Sequence, residues 1–169
     1  MTKRLILVSV IFVCTLGVHA QEQATLQSVE VVDQGIYKIQ LRGDPLPMPS
    51  VGAGVIKPSF KPVLLASTNQ IPPKIGITFG CRFIPRGKPD GAMIDLTIMV
   101  RHPAFTKPDG SKTSPLDVVP WPYKIGEIAG YTYTFDHDWE IVPGKWSIEV
   151  WHGGEKLSGV DFIVTPKPE

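Results

Sequence analysis

The sequence predicts an all-β fold, and three features of residues 21–169 support this prediction. Apolar and polar residues alternate with a period of two in short runs, which is typical of strands with one buried face. Turn residues bound these runs. Proline and glycine are the most abundant of them, with 17 prolines and 16 glycines in the chain. The prolines also interrupt nearly every stretch that is long enough for a helix. About seven or eight short strands in one domain favour an immunoglobulin-like antiparallel β-sandwich.

The predicted strands have faces that can be assigned from this alternation. In one run, Ile94 and Leu96 point to one side and Asp95 and Thr97 to the other. Such a pattern indicates sheets that bury one face and expose the other. A weaker strand candidate lies within 51–66, and the clear runs are 26–32, 36–41, 74–83, 92–102, 130–135, 145–151 and 156–164. The last two runs are predicted to form a hairpin, because the paired glycines between them supply the positive φ angles of a tight turn.

Two proline-rich segments interrupt this pattern, and both are predicted to be irregular. They are residues 43–73 and 103–123. Long loops in a compact domain usually either carry function or move. A partner site is therefore expected there, or at an edge strand that is open to another chain.

Residues 1–20 have the three-part pattern of a cleavable secretory signal peptide. Lys3 and Arg4 precede an apolar run at 5–14, and Val18-His19-Ala20 places compact side chains at the minus-three and minus-one positions. Cleavage is therefore predicted after Ala20, which leaves one domain at 21–169. The sequence predicts that this domain is periplasmic or secreted.

Two other interpretations of the N-terminus are weaker. Acylation of Cys14 as a lipoprotein would require a small residue where Val13 stands. A retained membrane anchor would need about 20 apolar residues, and the uncharged run 5–21 is only marginally long. We therefore expect no membrane span after cleavage.

Cleavage also changes the charge and the cysteine content. Without Lys3 and Arg4, 15 of the 17 basic residues remain against 16 acidic ones, a net charge of about −1. This balance argues against a nucleic-acid partner, which would require a strongly basic surface. Cys81 is the only cysteine that remains, so no intramolecular disulfide is expected.

Several motifs resemble an uncharacterised bacterial family, domain of unknown function family 3859. They are Arg101-His102-Pro103, Pro108-Asp109-Gly110, Trp139-Glu140-Ile141-Val142-Pro143-Gly144-Lys145-Trp146 and the tail from Glu149 through Gly153-Gly154 to Phe162-Ile163-Val164. The similarity covers residues 36–164. It implies a small secreted or periplasmic β domain of bacterial origin, and it implies no activity and no catalytic residue.

Two groups of residues are candidates for chemistry. Cys81 could act as a nucleophile if a histidine lay beside it, but its place on the apolar face of a strand favours a buried, inert thiol. Asp136, His137 and Asp138 form the densest set of metal-capable side chains, yet their spacing matches no ligand signature. A polar turn is the simpler interpretation, and no metal or cofactor is expected.

Four aromatic residues are candidates for ligand contact. Trp121 lies between Pro120 and Pro122, and Tyr123 directly follows Pro122, in the segment predicted to be irregular. Trp139 and Trp151 lie at the ends of predicted elements. Rigid aromatics of this kind are enriched at interfaces, although they also pack back onto open sandwich ends.

The sequence thus predicts a non-enzymatic binding or structural module. Its partner would be a protein or a small ligand, held by the proline-rich loops or by an edge strand. The alternative is a metal-dependent or hydrolytic extracytoplasmic enzyme that uses Asp136, His137 and Asp138, since architecture alone does not define function.

Overall fold

The structure is a computed structural model that describes residues 23–41 and 43–167. The predicted signal peptide, residues 1–20, lies outside the described residues. Within these described residues, eleven strands and one 3-10 helix, Asp138–Glu140, follow one another. The strands are β1 Thr25–Leu41, β2 Leu46–Pro47, β3 Val55–Ile56, β4 Ser59–Ala66, β5 Gln70–Ile71, β6 Thr78–Lys88, β7 Met93–Arg101, β8 Leu116–Lys124, β9 Ala129–Thr134, β10 Gly144–His152 and β11 Glu155–Val164. Within the described residues, no helix is long and apolar enough to cross a membrane.

Two sheets form a sandwich, which confirms the predicted fold class. The first sheet has the strand order β4-β1-β6-β9, and the second has the order β5-β11-β10-β7-β8. Apart from the short parallel pair β5–β11, the strand pairs of both sheets are antiparallel. A small hairpin of β2 and β3 lies outside the two sheets. The edge strands are therefore β4 and β9 in the first sheet and β5 and β8 in the second.

An aromatic cluster centred on Trp146 fills the space between the sheets. Trp146 is fully buried, and its indole N–H donates to Val142 O at 3.2 Å, so its one polar group is satisfied. Its ring lies 4.9–5.7 Å from five other rings, which come from the first sheet, from the residue just after β9 and from the connection after β7: Phe79, Tyr133, Phe135, His102 and Phe105. Tilted and edge-to-face contacts of this kind add to the free energy gained by burying the rings.

Sequence alternation assigned the faces of the strands but missed some of their limits. The runs 26–32 and 36–41 are parts of one long strand, β1, which continues through irregularities in its pairing with β6. The strand expected at 74–83 begins at Thr78 and ends at Lys88. The weaker candidate within 51–66 corresponds to β4, which pairs with β1.

The prediction that 103–123 is irregular was wrong for β8, and 43–73 contains the short strands β2, β3 and β5 in addition to the expected strand β4. β8 pairs with β7 over its whole length in spite of Pro120 and Pro122. Val118 N donates to Ser50 O at 3.0 Å, on the side away from β7. Since N–H groups alternate in direction along a strand, the nitrogens of Pro120 and Pro122 also face away from β7. The two prolines are tolerated because they remove no hydrogen bond from the sheet.

An ion pair joins β1 and β6 on the face of the first sheet that points away from the core. Asp33 accepts hydrogen bonds from the Arg82 guanidinium, with Nε 2.9 Å from Oδ1. The Tyr37 hydroxyl donates to the same carboxylate at 2.6 Å. The hydrogen bond from Arg82 lowers the pKa of Asp33 below its usual value.

Asp33→Asn is expected to reduce the acid sensitivity of the fold. Because the folded-state pKa of Asp33 is lowered, the ion pair stabilises the fold above the unfolded-state pKa of about 3.9, and this stabilisation is lost as the pH falls through the folded-state value. The melting temperature of the wild type should therefore fall more steeply than that of the variant between about pH 4 and about pH 2.

Asp161→Asn is the control for this experiment. It breaks an exposed pair with Lys145, which contributes little to stability, so its melting temperature should follow the wild type across the pH range. Equal acid sensitivity of the wild type and Asp33→Asn would contradict the prediction.

Candidate functional site

A cleft of about 640 Å³ opens at one flank of the sandwich, between the edge strands β8 and β9. The β2–β3 hairpin forms a further wall. Clefts of roughly 300–1,000 Å³ are typical of ligand sites in proteins. This cleft is the candidate functional site.

The walls of the cleft carry aromatic side chains from both sheets. Trp121 and Tyr123 lie opposite Leu96 and Ile94 of β7, so they point to the interior face of the second sheet. Tyr123 also packs on Phe83, with ring centroids 5.3 Å apart. Trp121 has no such cover among the described aromatic rings, and 38% of its surface remains exposed although it faces inward.

Tyr131 and Tyr133 of β9 form the opposite wall. The ring of Tyr133 packs against Phe79 and Trp146 at 6.0 and 5.1 Å. Its hydroxyl is buried and has no hydrogen-bond partner among the described residues. Burial, together with the nearby Glu140 carboxyl, raises the pKa of Tyr133 far above its usual value. The hydroxyl thus stays protonated.

Asp117 holds the β2–β3 hairpin against β8. Its carboxylate is buried and accepts a hydrogen bond from Gly52 N at 2.5 Å, while the Ser50 hydroxyl donates to Val118 O at 2.5 Å. A β-carbon at position 52 would lie 3.2 Å from the ring of Phe105. The glycine therefore allows the hairpin to approach the core closely.

His102 lies behind this contact, inside the core. Its ring stacks on Phe105 with centroids 4.2 Å apart. Nδ1 is 2.9 Å from Pro103 O, and Nε2 is 3.3 Å from the Asp117 carboxylate. Among the described residues, His102 is thus part of the buried support of the hairpin.

Glu140 closes the polar end of the cleft. Its buried carboxylate accepts hydrogen bonds from Asp136 N at 2.7 Å and His137 N at 3.1 Å. Burial raises the pKa of Glu140, although these two N–H groups oppose the shift. Nearby, Lys57 forms an ion pair with Asp136 at 2.9 Å, which ties the chain after β3 to the chain after β9.

The three metal candidates from the sequence have separate partners. Asp136 pairs with Lys57, Asp138 pairs with Lys167 at 2.7 Å, and His137 stacks on Trp139 with centroids 5.2 Å apart. Among residues 23–41 and 43–167, no group of three or more His, Cys, Asp or Glu side chains is arranged to hold a metal ion.

Cys81 lies in the core as the sequence indicated. Only 1% of its surface is exposed, and burial raises the pKa of its thiol to about 12. The reactive species of a cysteine is the thiolate, so this environment disfavours nucleophilic chemistry.

The structure brings together two of the four aromatic candidates. Trp121 and Tyr123 border the cleft. Trp139 packs its edge on Phe105 at 5.8 Å, and Trp151 donates to Glu149 at 3.0 Å on another face of the second sheet; neither borders the described cleft. Tyr131 and Tyr133 were not identified as candidates from the sequence, because alternation alone does not distinguish an edge strand from a central one.

Comparisons with known proteins identify a family and a fold. The family model "domain of unknown function (DUF3859)" matches residues 26–164. An immunoglobulin-like protein from Pseudomonas aeruginosa is similar in structure, with a TM-score of 0.54 and 22% sequence identity over 86% of this chain and 98% of that chain. A Pseudomonas fluorescens alkylpurine DNA glycosylase bound to DNA with an abasic site analog has a TM-score of 0.36 and 15% identity over 58% of this chain and 28% of that chain. A search of curated proteins finds no match.

Asp117→Ala is expected to release the hairpin wall of the cleft. The substitution leaves the buried N–H of Gly52 without its acceptor, which costs about 1–3 kcal/mol of unfolding free energy. Chemical denaturation measures this loss, and the Gly52 amide proton should exchange with solvent faster than in the wild type. Asp95→Ala, on the exposed side of β7, is the control and should change neither quantity appreciably. Unchanged exchange at Gly52 would refute this role of Asp117.

Proposed function

Since the chain belongs to the DUF3859 family of domains of unknown function, we propose that it is a non-enzymatic binding module that works outside the cytoplasm. The observation that carries the proposal is the cleft of about 640 Å³ between β8 and β9. Ligand sites are usually concave and mostly apolar, with a few polar groups that orient the ligand. The walls carry the aromatic residues Trp121, Tyr123 and Tyr131 together with the polar side chains of Lys57 and Asp136, and so fit this description.

Trp121 is the best candidate for ligand contact within the cleft. It faces the interior of the sandwich, yet 38% of its surface is exposed, so a ligand in the cleft would cover apolar area that the fold leaves in water. Tyr123, by contrast, already packs on Phe83. Partly exposed tryptophans are among the residues that contribute most to binding free energy.

An enzymatic function has less support. Lys57, Lys167 and Trp139 each engage one of Asp136, Asp138 and His137, so the described structure does not direct these three side chains at a common reacting atom. General acid–base or metal chemistry requires such convergence.

Location outside the cytoplasm is supported by the sequence pattern at 1–20. Expressed in a Gram-negative bacterium with its own N-terminus, the protein should be recovered from the periplasm or the medium with Gln21 as its first residue. Cell fractionation and N-terminal sequencing measure this. Recovery of a chain that still begins at Met1, from the cytoplasm, would contradict the proposed location.

Trp121→Ala should weaken ligand capture without unfolding the domain. With the purified domain immobilised, the amount of partner retained from a periplasmic extract should fall at least about tenfold, since tryptophan hot spots often contribute about 2 kcal/mol or more and about 1.4 kcal/mol is already tenfold. The melting temperature should change only slightly, because Trp121 is partly exposed in the free protein.

Ile163→Ala is the matched control for capture. Ile163 has 39% of its surface exposed and lies on β11 of the same sheet, away from the cleft, so its removal should leave capture unchanged. If Trp121→Ala retains the same partner as the wild type, the cleft is not the binding site.

A further inference from the structure

The cleft runs along the free edge of β9. All of the residues 130–134 border it. Since successive side chains of a strand point to opposite faces of the sheet, a cavity that contacts five consecutive residues must lie beside the backbone edge. β9 is the end strand of its sheet and pairs with β6 alone among the described strands.

Backbone groups of β9 point into the cleft. Phe135 N donates to Ile77 O at 3.0 Å, on the β6 side. A β-carbon on Gly80 of β6 would lie 2.1 Å from Tyr131 O, so the carbonyl of Tyr131 faces β6 as well. Because direction alternates along a strand, the N–H and C=O groups of Thr132 and Thr134 face the other way. Among the described residues, no backbone group outside the β6–β9 pairing forms a hydrogen bond with the N–H or C=O of Thr132 or Thr134.

This edge lacks the devices that protect the edge strands β4 and β8. Proteins block free edges with proline, charge or a covering segment. β8 has Pro120 and Pro122 and is covered at Val118 by Ser50, and β4 contains Pro62. β9 has the sequence Ala-Gly-Tyr-Thr-Tyr-Thr, with neither proline nor charge.

We propose that the partner held in the cleft is an extended peptide segment that adds to β9 as a fifth strand of the first sheet. This proposal rests on the proposed function and names its ligand class. Main-chain hydrogen bonds to Thr132 and Thr134 supply affinity, and alternate side chains supply specificity. One set of peptide side chains faces Trp121, Tyr131 and Tyr133 and is apolar. The other set lies beside Thr132 and Thr134 and is small and polar.

The test uses a blocked hexapeptide, acetyl-Val-Thr-Val-Thr-Val-Thr-amide, and hydrogen exchange followed by NMR. On peptide addition, the amide protons of Thr132 and Thr134 should exchange at least about tenfold more slowly, because each gains a carbonyl acceptor. The amide of Tyr131, which faces β6, should change little and is the internal control. Absence of protection at Thr132 and Thr134 at the highest soluble peptide concentration overturns the proposal.

Two N-methylated peptides distinguish strand addition from other binding. One is methylated on every valine and the other on every threonine, so each lacks the N–H groups of one alternate set. Strand addition uses only one set, so one methylated peptide should bind like the parent and the other at least about tenfold more weakly. Equal binding of all three peptides would show that the N–H groups of the peptide do not contribute to binding, and would contradict strand addition.

Thr132→Pro adds a test on the protein side. It removes an N–H that faces the cleft, and proline is tolerated at such a position of an edge strand. Peptide protection at Thr134 should then be lost, while the melting temperature reports whether the variant is folded. If the variant does not fold, the pair of methylated peptides decides.

The outcomes separate this inference from the proposed function. If Trp121→Ala abolishes capture but no peptide protects Thr132 and Thr134, the cleft binds a ligand of another class and the strand proposal falls alone. Protection that rises with protein concentration in the absence of peptide would identify a second copy of the chain as the occupant, and would also overturn it.

Discussion

The sandwich depends on one cluster of rings, in which Trp146 joins residues of both sheets. Phe79, Tyr133 and Phe135 reach it from the first sheet and its extension, and His102 and Phe105 reach it from the connection after β7. Interiors packed at this density transmit small displacements, so the positions of β9 and of the hairpin are set by the same contacts that stabilise the fold. The cleft is therefore a product of the core, since Tyr133 belongs to both.

The flank between β8 and β9 is open because of how the edges of the two sheets are covered. A sandwich of two open sheets has four edges, and each exposes unpaired backbone groups. Here the β2–β3 hairpin crosses from one sheet to the other, fixed to β8 by Asp117 and Ser50 and to the chain after β9 by Lys57. The hairpin closes part of the gap between β8 and β9 and leaves the cleft open beside β9.

Alternation in the sequence is enough to predict the inward faces of β6, β7 and β10, because apolar and polar side chains alternate along each of these strands. It fails at β8, where Pro120 and Pro122 look like loop residues until the direction of their nitrogens is known. Trp121 and Tyr123 were chosen from the sequence because they were predicted to lie in a loop. They belong to β8 instead, and the pairing of β8 with β7 sets their positions. Tyr131 and Tyr133 could not be identified as site residues, since only the order of strands shows that β9 lies at an edge.

The prolines of β8 limit which edges of the domain can pair with a further strand. A strand that lacks N–H donors at two alternate outward positions cannot continue the ladder of its sheet, and the same sheet ends on its other side in a strand of two residues, Gln70–Ile71. Addition of a further strand to the second sheet is thus blocked at β8 and poorly supported at β5. Of the four edges, the free edge of β9 in the first sheet is therefore better suited to pairing with a further strand than either edge of the second sheet.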